Sequence, residues 1–471
     1  MSFEEVGERF WQWLKDIGVE ISPKIALHDY RNQGQGRGVI AVEDIAKGET
    51  LFSIPREAVM SVDNDSQFES LIAGKDFGPW IDLIAYMMTI DQSEKWKPYF
   101  DVLPTQFNTP MFWDEAETRK LLKGSAVVDK IGKSEAEEQY KAALEPFFAS
   151  NPQLAGEKSV ESFHRMGSVI MSYSFDVFAK PENQDDKKSG NGEGSDDEEE
   201  EEEEMSVKAM VPLADMLNAH TRLCNANLCH DDKNHKVLEM RAIKNIPKGG
   251  QVYNTYGELP NSDLLRRYGY AEAGGTEFDV VEVSTETMGR AIVDLKLASS
   301  EKVNQAISQL ESMADEDVLP FYDDAYDVPV SGEPDLTNLV VLSLLEVLAT
   351  QDKSSLPSMK KLVKNAIRTA EEAQLTESAR DIWTRAIELR LQDYSSDLVE
   401  EAKSDPNVSP KDDVIVEKNA MCREVLLGEV RILLRTAEWA NGVDVIPVEK
   451  LLKDKRKGED SKESRKKSKK N

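Results

Sequence analysis

The chain predicts an α+β fold: a β-rich unit split by a helical insertion, followed by an all-helical second domain. Three observations carry this expectation. Asp44-Ile45-Ala46-Lys47-Gly48-Glu49-Thr50-Leu51 is echoed by Asn245-Ile246-Pro247-Lys248-Gly249-Gly250-Gln251-Val252. In both, a strand ends in Ile-x-Lys-Gly and a new one begins, with Lys-Gly supplying the backbone freedom for a tight reversal. Between the two echoes, residues 66–178 carry apolar side chains at helical spacing. From Val280 onward helical periodicity dominates again, as in Leu339, Leu342, Leu345 and Leu348.

Taken in order, residues 3–17 place Phe3, Val6, Phe10, Trp13 and Ile17 on one helix face. Short strands are expected at Val19–Ile21 and Ile25–Tyr30, around Ser22-Pro23. Gly34-Gln35-Gly36-Arg37-Gly38 follows, with glycines at alternate positions that let backbone approach a ligand closely. It is no dinucleotide fingerprint, because strands follow it (Val39–Val42, then Thr50–Ile54) and not a helix. Trp80–Ile90 reads as a helix. Residues 114–148 read as charged helix, and Phe163–Val177 as an apolar helix carrying Tyr173 and Ser174. Helices are then expected around Val303–Leu310, Leu339–Ala349, Ile382–Leu389 and Val425–Leu434, a plausible bundle. The expected boundaries are an N-terminal helix at 1–24, the split β-rich unit at 25–270, the helical domain at 271–445 and a basic tail at 446–471. Within the β-rich unit, 66–178 is the helical insertion and 183–206 an acidic loop.

Composition narrows the function. With 471 residues there is length for real cores. The formal charge of −30 argues against nucleic-acid binding by the core and favours a basic partner. Nine consecutive acids, Asp196–Glu204, form a self-repelling run that is expected to be disordered, either a solvated loop or a tether for a basic substrate. Lys455-Arg456-Lys457 and Arg465-Lys466-Lys467 read as a nuclear-import signal, a nucleic-acid-touching tail or a solubilising end. The nucleus is the expected location, with the cytoplasm as a second one alongside it. Three cysteines make no disulfide framework. Nothing at the N-terminus reads as a signal peptide, and no apolar run approaches the roughly 18–20 residues that span a bilayer. A monomer is expected.

The chemistry is concentrated between Met210 and Tyr270. Asn218 ends the apolar run Met210–Leu217, so an amide is carried inward, where it needs partners that a ligand can supply. Asn225 and Asn227 flank Ala226, a pattern that suits a bend. Tyr253, Tyr256, Tyr268 and Tyr270 crowd two short segments, each containing Tyr-Gly. Phenols and rings of this kind can guide and desolvate a lysine amine and surround its methyl groups. His220, Cys224, Cys229, His230 and His235 offer a rival reading as metal ligands. Their spacing fits no standard zinc pattern, and no metal is expected.

Together, Gly36-Arg37-Gly38, Met210–Asn218, Asn225–Leu228, Asn254–Gly257 and Tyr268-Gly269 resemble the SET-domain protein lysine methyltransferases. The match is to the Rubisco methyltransferase-like branch, which has a split SET domain and includes fungal ribosomal lysine methyltransferases. It covers Leu27–Tyr270 in motif and the rest by architecture. The resemblance implies a β-rich SET core followed by a helical substrate-binding domain. It implies S-adenosyl-L-methionine as cofactor and a basic protein substrate, a ribosomal protein of the large subunit first among them, with a histone or nuclear regulator as alternative. It implies Tyr256 as catalytic tyrosine. Cofactor binding falls to Gly36, Arg37, Gly38, Tyr173, Asn218, Ala219, Tyr256 and Tyr268, and substrate binding to Trp113, Ser174 and Tyr268. The implied reaction is an in-line displacement needing a neutral amine, alignment and a desolvated tunnel. One departure stands out: the family's Asn-His pair here reads Asn218-Ala219, with His220 one position later. Either His220 substitutes after a local shift, or backbone does the work alone. Ala219 and the acidic run also motivate a different class of function, a catalytically silent scaffold escorting a basic protein. Retention of Tyr256, Asn218 and Gly36-Arg37-Gly38 argues against it.

Overall fold

A computed structural model describes residues 1–180, 206–230, 236–316 and 318–453. The acidic run, His235 and the basic clusters of the tail lie outside the described residues. The chain opens with helix α1 (Phe3–Asp16), started by a reciprocal cap in which Ser2 and Glu5 satisfy each other's backbone N–H groups. Phe10, Trp13 and Leu14 on its inner face are buried. Strands β1 (Glu20–Ile21), β2 (Ile25–Asp29), β3 (Arg37–Ala41) and β4 (Thr50–Pro55) follow. After the insertion come β5 (Ser174–Phe178), β6 (Ser206–Met210), β7 (Asn218–Ala219), β8 (Ala226–His230), β9 (Val237–Ala242) and β10 (Gln251–Asn254).

Two four-stranded sheets result, in the orders β1-β4-β9-β8 and β2-β3-β10-β7. Each contains strands from both sides of the insertion, so the split unit closes only when the distant halves meet. The echoed turns are the clasp. Ile45 and Ile246 exchange backbone hydrogen bonds, each N–H donating to the other's carbonyl at 2.9 Å. Asp44 accepts from the Lys248 N–H, and Asn245 from the Lys47 N–H, both at 2.8 Å. The Gly48 N–H reaches the Ala242 carbonyl and the Gly249 N–H the Ala41 carbonyl, both at 2.7 Å. Each of these bonds has its counterpart in the other turn, a local two-fold relation written in the repeated sequence.

The insertion is helical but more broken than its periodicity suggests. Helix α2 (Pro79–Ile90) is nearly all buried, and helix α3 (Val160–Tyr173) packs beside it. Between them the chain runs in short pieces, with Gly124 and Gly132 at positive φ and Gly132 capping the start of helix Lys133–Gln139. The helix expected at Phe163–Val177 stops at Tyr173. Ser174–Phe178 instead forms β5, paired antiparallel with β6 from Ser174↔Met210 to Phe178↔Ser206. The apolar run was ambiguous in period, and the distant strand decided it.

From Thr285 the chain is mainly helical, with long helices α4 (Leu336–Thr350), α5 (Glu377–Gln392) and α6 (Lys418–Gly442). It is not purely so: Val280–Ser284 pairs with Ala325–Pro329, and Gln374–Thr376 with Asp444–Ile446. Each half has its own apolar core, one running from Phe10 to Val252 and the other from Val281 to Leu451. A smaller cluster joins them: Leu122 and Val127 of the insertion, Leu265 and Ala271, and Met421, Cys422 and Val425 of α6. Among the described residues no helix is long and apolar enough to cross a membrane.

Candidate active site

Strand β7 runs parallel to β10, in register Asn218↔Tyr253 and Ala219↔Asn254. From Ala209 to His220 every residue is buried except Asn218, which is half-exposed. The chain therefore presents one amide from a buried strand, and it opens onto a cavity of about 380 Å³. The walls include Gly34 and Gln35, Phe107 and Asn108, Ser172 and Tyr173, Asn218 and Ala219, Tyr256, and Tyr268 to Tyr270. Six stretches of the sequence thus converge there.

The tyrosines form a stack. The Tyr256 and Tyr268 rings lie 4.0 Å apart between centroids and 12° from parallel. Tyr270 is tilted against Tyr268 at 6.5 Å. Burial drives the Tyr256 and Tyr270 phenols well above their ordinary pKa and Tyr173 up to about 12, with the neighbouring Asp215 carboxylate adding to Tyr173 and Tyr256. All three are neutral phenols across the physiological range, each keeping an accessible edge toward the cavity. Asp215 lies behind them, 4% exposed, accepting from the Tyr99 hydroxyl while its Oδ1 has no hydrogen-bond partner. Burial pushes its carboxyl up to about 8.

Tyr173, Asn218, Ala219, Tyr256 and Tyr268 thus meet on one cavity. The glycine loop behaves differently from expectation. Gly34 and Gln35 line the cavity, whereas Gly36, Arg37 and Gly38 do not. The Arg37 guanidinium turns to α1, donating to the Phe3 carbonyl at 2.8 Å and sitting 3.7 Å over the Phe3 ring. Residues alternate sides along β3, so Arg37 and Gly38 face opposite ways. Gly38 supports the site from behind: a Cβ there would lie 2.7 Å from both Asn218 Nδ2 and the Tyr30 ring. Ser174 begins β5 and lies outside the wall, while its neighbours Ser172 and Tyr173 are in it.

Trp113 is also off the cavity. Its indole N–H donates to Asn108 Oδ1 at 3.2 Å, and the Lys418 ammonium sits 5.0 Å over its ring. His220 is fully buried and outside the cavity wall; its Nδ1 lies 3.2 Å from Glu272 Oε2, and its backbone N–H donates to the Asn254 carbonyl at 3.1 Å. Burial lowers its pKa against the opposing effect of Glu272. Ala219, not His220, reaches the cavity. Asn225 ties β10 to its surroundings, its Nδ2 donating to the Gln251 carbonyl and its Oδ1 accepting from the Tyr253 N–H, both at 2.9 Å. Asn227 lies within β8, so the bend ends at Asn225. Among the described residues no group of three or more His, Cys, Asp or Glu could hold a metal ion. Sequence reasoning missed Gln35, Phe107, Asn108 and Asp215. Asp215 sits inside a motif already singled out, but its partner Tyr99 is 116 residues away.

Residues 36–257 match the SET domain family. Ribosomal lysine N-methyltransferase 4 of Saccharomyces cerevisiae is 35% identical over 485 aligned residues, covering 96% of this chain and 95% of that protein. N-lysine methyltransferase SETD6 of Homo sapiens is 30% identical over 56% of this chain and 59% of that protein. The solved structure of Rubisco LSMT bound to AdoMet superposes with a TM-score of 0.65 at 16% identity, covering 93% of this chain and 92% of that one, and so shares the fold. The fold and the tyrosine-lined cavity define a SET-domain protein. The likeness to the yeast relative over nearly the full length makes the family plain: the chain belongs to the SET-domain lysine N-methyltransferases.

Proposed function

We propose that this chain methylates a lysine of a basic protein, with S-adenosylmethionine as donor, and that the acceptor is a protein of the large ribosomal subunit. The observation that carries the reading is the convergence of Tyr173, Tyr256, Tyr268 and Tyr270 with Asn218 and Ala219 on one cavity. The name of the yeast relative supports the ribosomal substrate.

The residues present fit the cofactor. A volume of about 380 Å³ lies within the ~300–1,000 Å³ of small-molecule sites. Its lining pairs the amides of Gln35 and Asn218 with aromatic faces, which suits a nucleoside carrying an amino-acid tail and a cationic sulfur. Gln35, Asn218, the backbone of Gly34 and Ala219, and the Tyr268 ring would hold it. When bound, S-adenosylmethionine supplies a methyl group on a positively charged sulfur. The chain's own task is to present a neutral amine in line with that methyl. A lysine ammonium drawn into the cavity beside a cation loses its proton more readily. The Tyr256 hydroxyl accepts a hydrogen bond from the amine and so directs its lone pair. The stacked Tyr268 ring fixes the Tyr256 ring against rotation.

The test is incubation of purified protein and tritiated S-adenosylmethionine with salt-washed ribosomal subunits and, separately, with core histones. Label in large-subunit proteins is the expected result. Label in histones alone moves the substrate to chromatin. No label in either, with no cofactor binding by calorimetry, overturns the reading. The nuclear location proposed from Lys455-Arg456-Lys457 and Arg465-Lys466-Lys467 predicts that removing Lys453–Lys470 shifts the protein to the cytoplasm. An unchanged distribution reduces those clusters to a solubilising end.

A further inference from the structure

The cavity has one wall that the SET half does not supply. Val414 and Val416, from the segment between helix Ser396–Ser404 and α6, line it beside Gly34 and Asn108. This segment is strapped along its length, to the residues just after Tyr270 and, at its ends, to the SET half. Val414–Ile415 pairs antiparallel with Ala271–Glu272, in register Ala271↔Ile415. The Lys411 N–H donates to the Ala273 carbonyl at 2.7 Å, and the Ala273 N–H to the Asp413 carbonyl at 2.9 Å. Asp412 is ion-paired with Arg222. At the far end Asn108 Nδ2 donates to the Val416 carbonyl at 2.7 Å, with Trp113 bonded to the same amide's oxygen. Gly34 leaves room for the strap: a Cβ there would lie 2.5 Å from Val416 Cγ2.

Side chains on an extended segment alternate between faces. Val414 and Val416 face the cavity, while Ile415 between them packs on the small cluster of Leu265, Met421 and Val425. The strap thus has a ligand face and a core face that can be separated by mutation.

We propose that Val414 and Val416 are cofactor-binding residues contributed by the helical half, so that the half expected to hold the protein substrate also forms a wall of the S-adenosylmethionine site. This rests on the reading of the cavity as the cofactor site. The two valines supply apolar contact, and Gly34 and Asn108 set the strap's distance from the glycine loop.

The experiment compares Val414→Ala, Val416→Ala, their double variant and Ile415→Ala in the full chain. Removing two methyl groups from an apolar contact is expected to weaken S-adenosylmethionine binding by about tenfold for each valine, read by calorimetry. The KM for the cofactor rises correspondingly, while kcat and the KM for the protein substrate are unchanged. Ile415→Ala lowers the thermal midpoint and leaves cofactor affinity at the wild-type value. Valine variants that bind cofactor like wild type, with only the midpoint lowered, overturn the proposal and make the strap a buttress. A second measurement needs no cofactor: nitration of Tyr256 and Tyr268 by tetranitromethane, mapped by mass spectrometry. It is expected to rise several-fold in the double variant and not in Ile415→Ala. If wild type fails to bind S-adenosylmethionine yet nitration rises, the valine wall stands and the cofactor reading falls. If nitration is also unchanged, the wall itself is refuted.

Discussion

Tyr256 is the residue on which the proposed chemistry turns, and its surroundings define what replacing it does. Its ring stacks on Tyr268, so Tyr256→Phe keeps the packing and removes only the hydroxyl. Methyl transfer is expected to fall at least about a hundredfold through lost alignment, with cofactor affinity and thermal midpoint unchanged. Wild-type turnover in that variant would reassign the role. Asp215 makes a prediction about pH. Its folded-state carboxyl is raised to about 8 by burial, above the unfolded value. Its contribution to stability is therefore fully present below about pH 4 and is lost as pH rises through 8. Asp215→Asn cannot ionise and keeps an acceptor for the Tyr99 hydroxyl. Between pH 5 and 9 the thermal midpoint of wild type should drop relative to that of the variant; parallel curves would show that Asp215 does not titrate as its burial requires. Tyr256 and Asn218 were legible in the sequence because their neighbours form motifs. The direction of Arg37 was not, because spacing does not say which face of β3 meets the sheet's other neighbours.

At the scale of elements, β3 and β7 meet through an absence of atoms. Gly38 pairs with His28 in register, and its missing Cβ is the space that Asn218 and Tyr30 occupy. Gly38→Ala is expected to cost about 1–3 kcal/mol through overpacking and to displace the Asn218 amide. Loss of S-adenosylmethionine affinity beyond that of equally destabilised variants elsewhere would show the second effect; loss of stability alone would confine Gly38 to packing. The strands ahead of the insertion were readable, since β2, β3 and β4 are bounded by Ser-Pro, glycine and Lys-Gly signals. The end of α3 was not. Ser174–Phe178 carries apolar residues that suit either period, and β6 selects the extended form by pairing with it. The strap was equally hidden: Val414-Ile415-Val416 is a short unbroken apolar run, and three residues after Pro410 and two aspartates name no partner strand.

At the scale of the whole molecule, two cores are joined by one small apolar cluster. Met421 is fully buried there, on a helix of the second half that meets Leu122 and Leu265 of the first. Met421→Ala is expected to destabilise by about 2–5 kcal/mol. Because the cluster links the halves, calorimetry should resolve two transitions in the variant where wild type shows one. A single transition at lower temperature would mean that other contacts carry the coupling. The cavity and this cluster lie on opposite faces of the strap, so the cavity's wall and the junction between halves are built from neighbouring residues.

The sequence by itself determined the α+β class, the split of the β-rich unit, the paired Ile-x-Lys-Gly turns and the tyrosine and asparagine motifs. Each depends on local preference or on a pattern repeated along the chain. Only the tertiary structure decided where Arg37 and Trp113 point, that His220 is buried away from the cavity, that Asp215 meets Tyr99, and that Val414 and Val416 complete the wall. Those facts are contacts between segments tens to hundreds of residues apart. No periodicity records such a contact, because it is set by how whole faces pack.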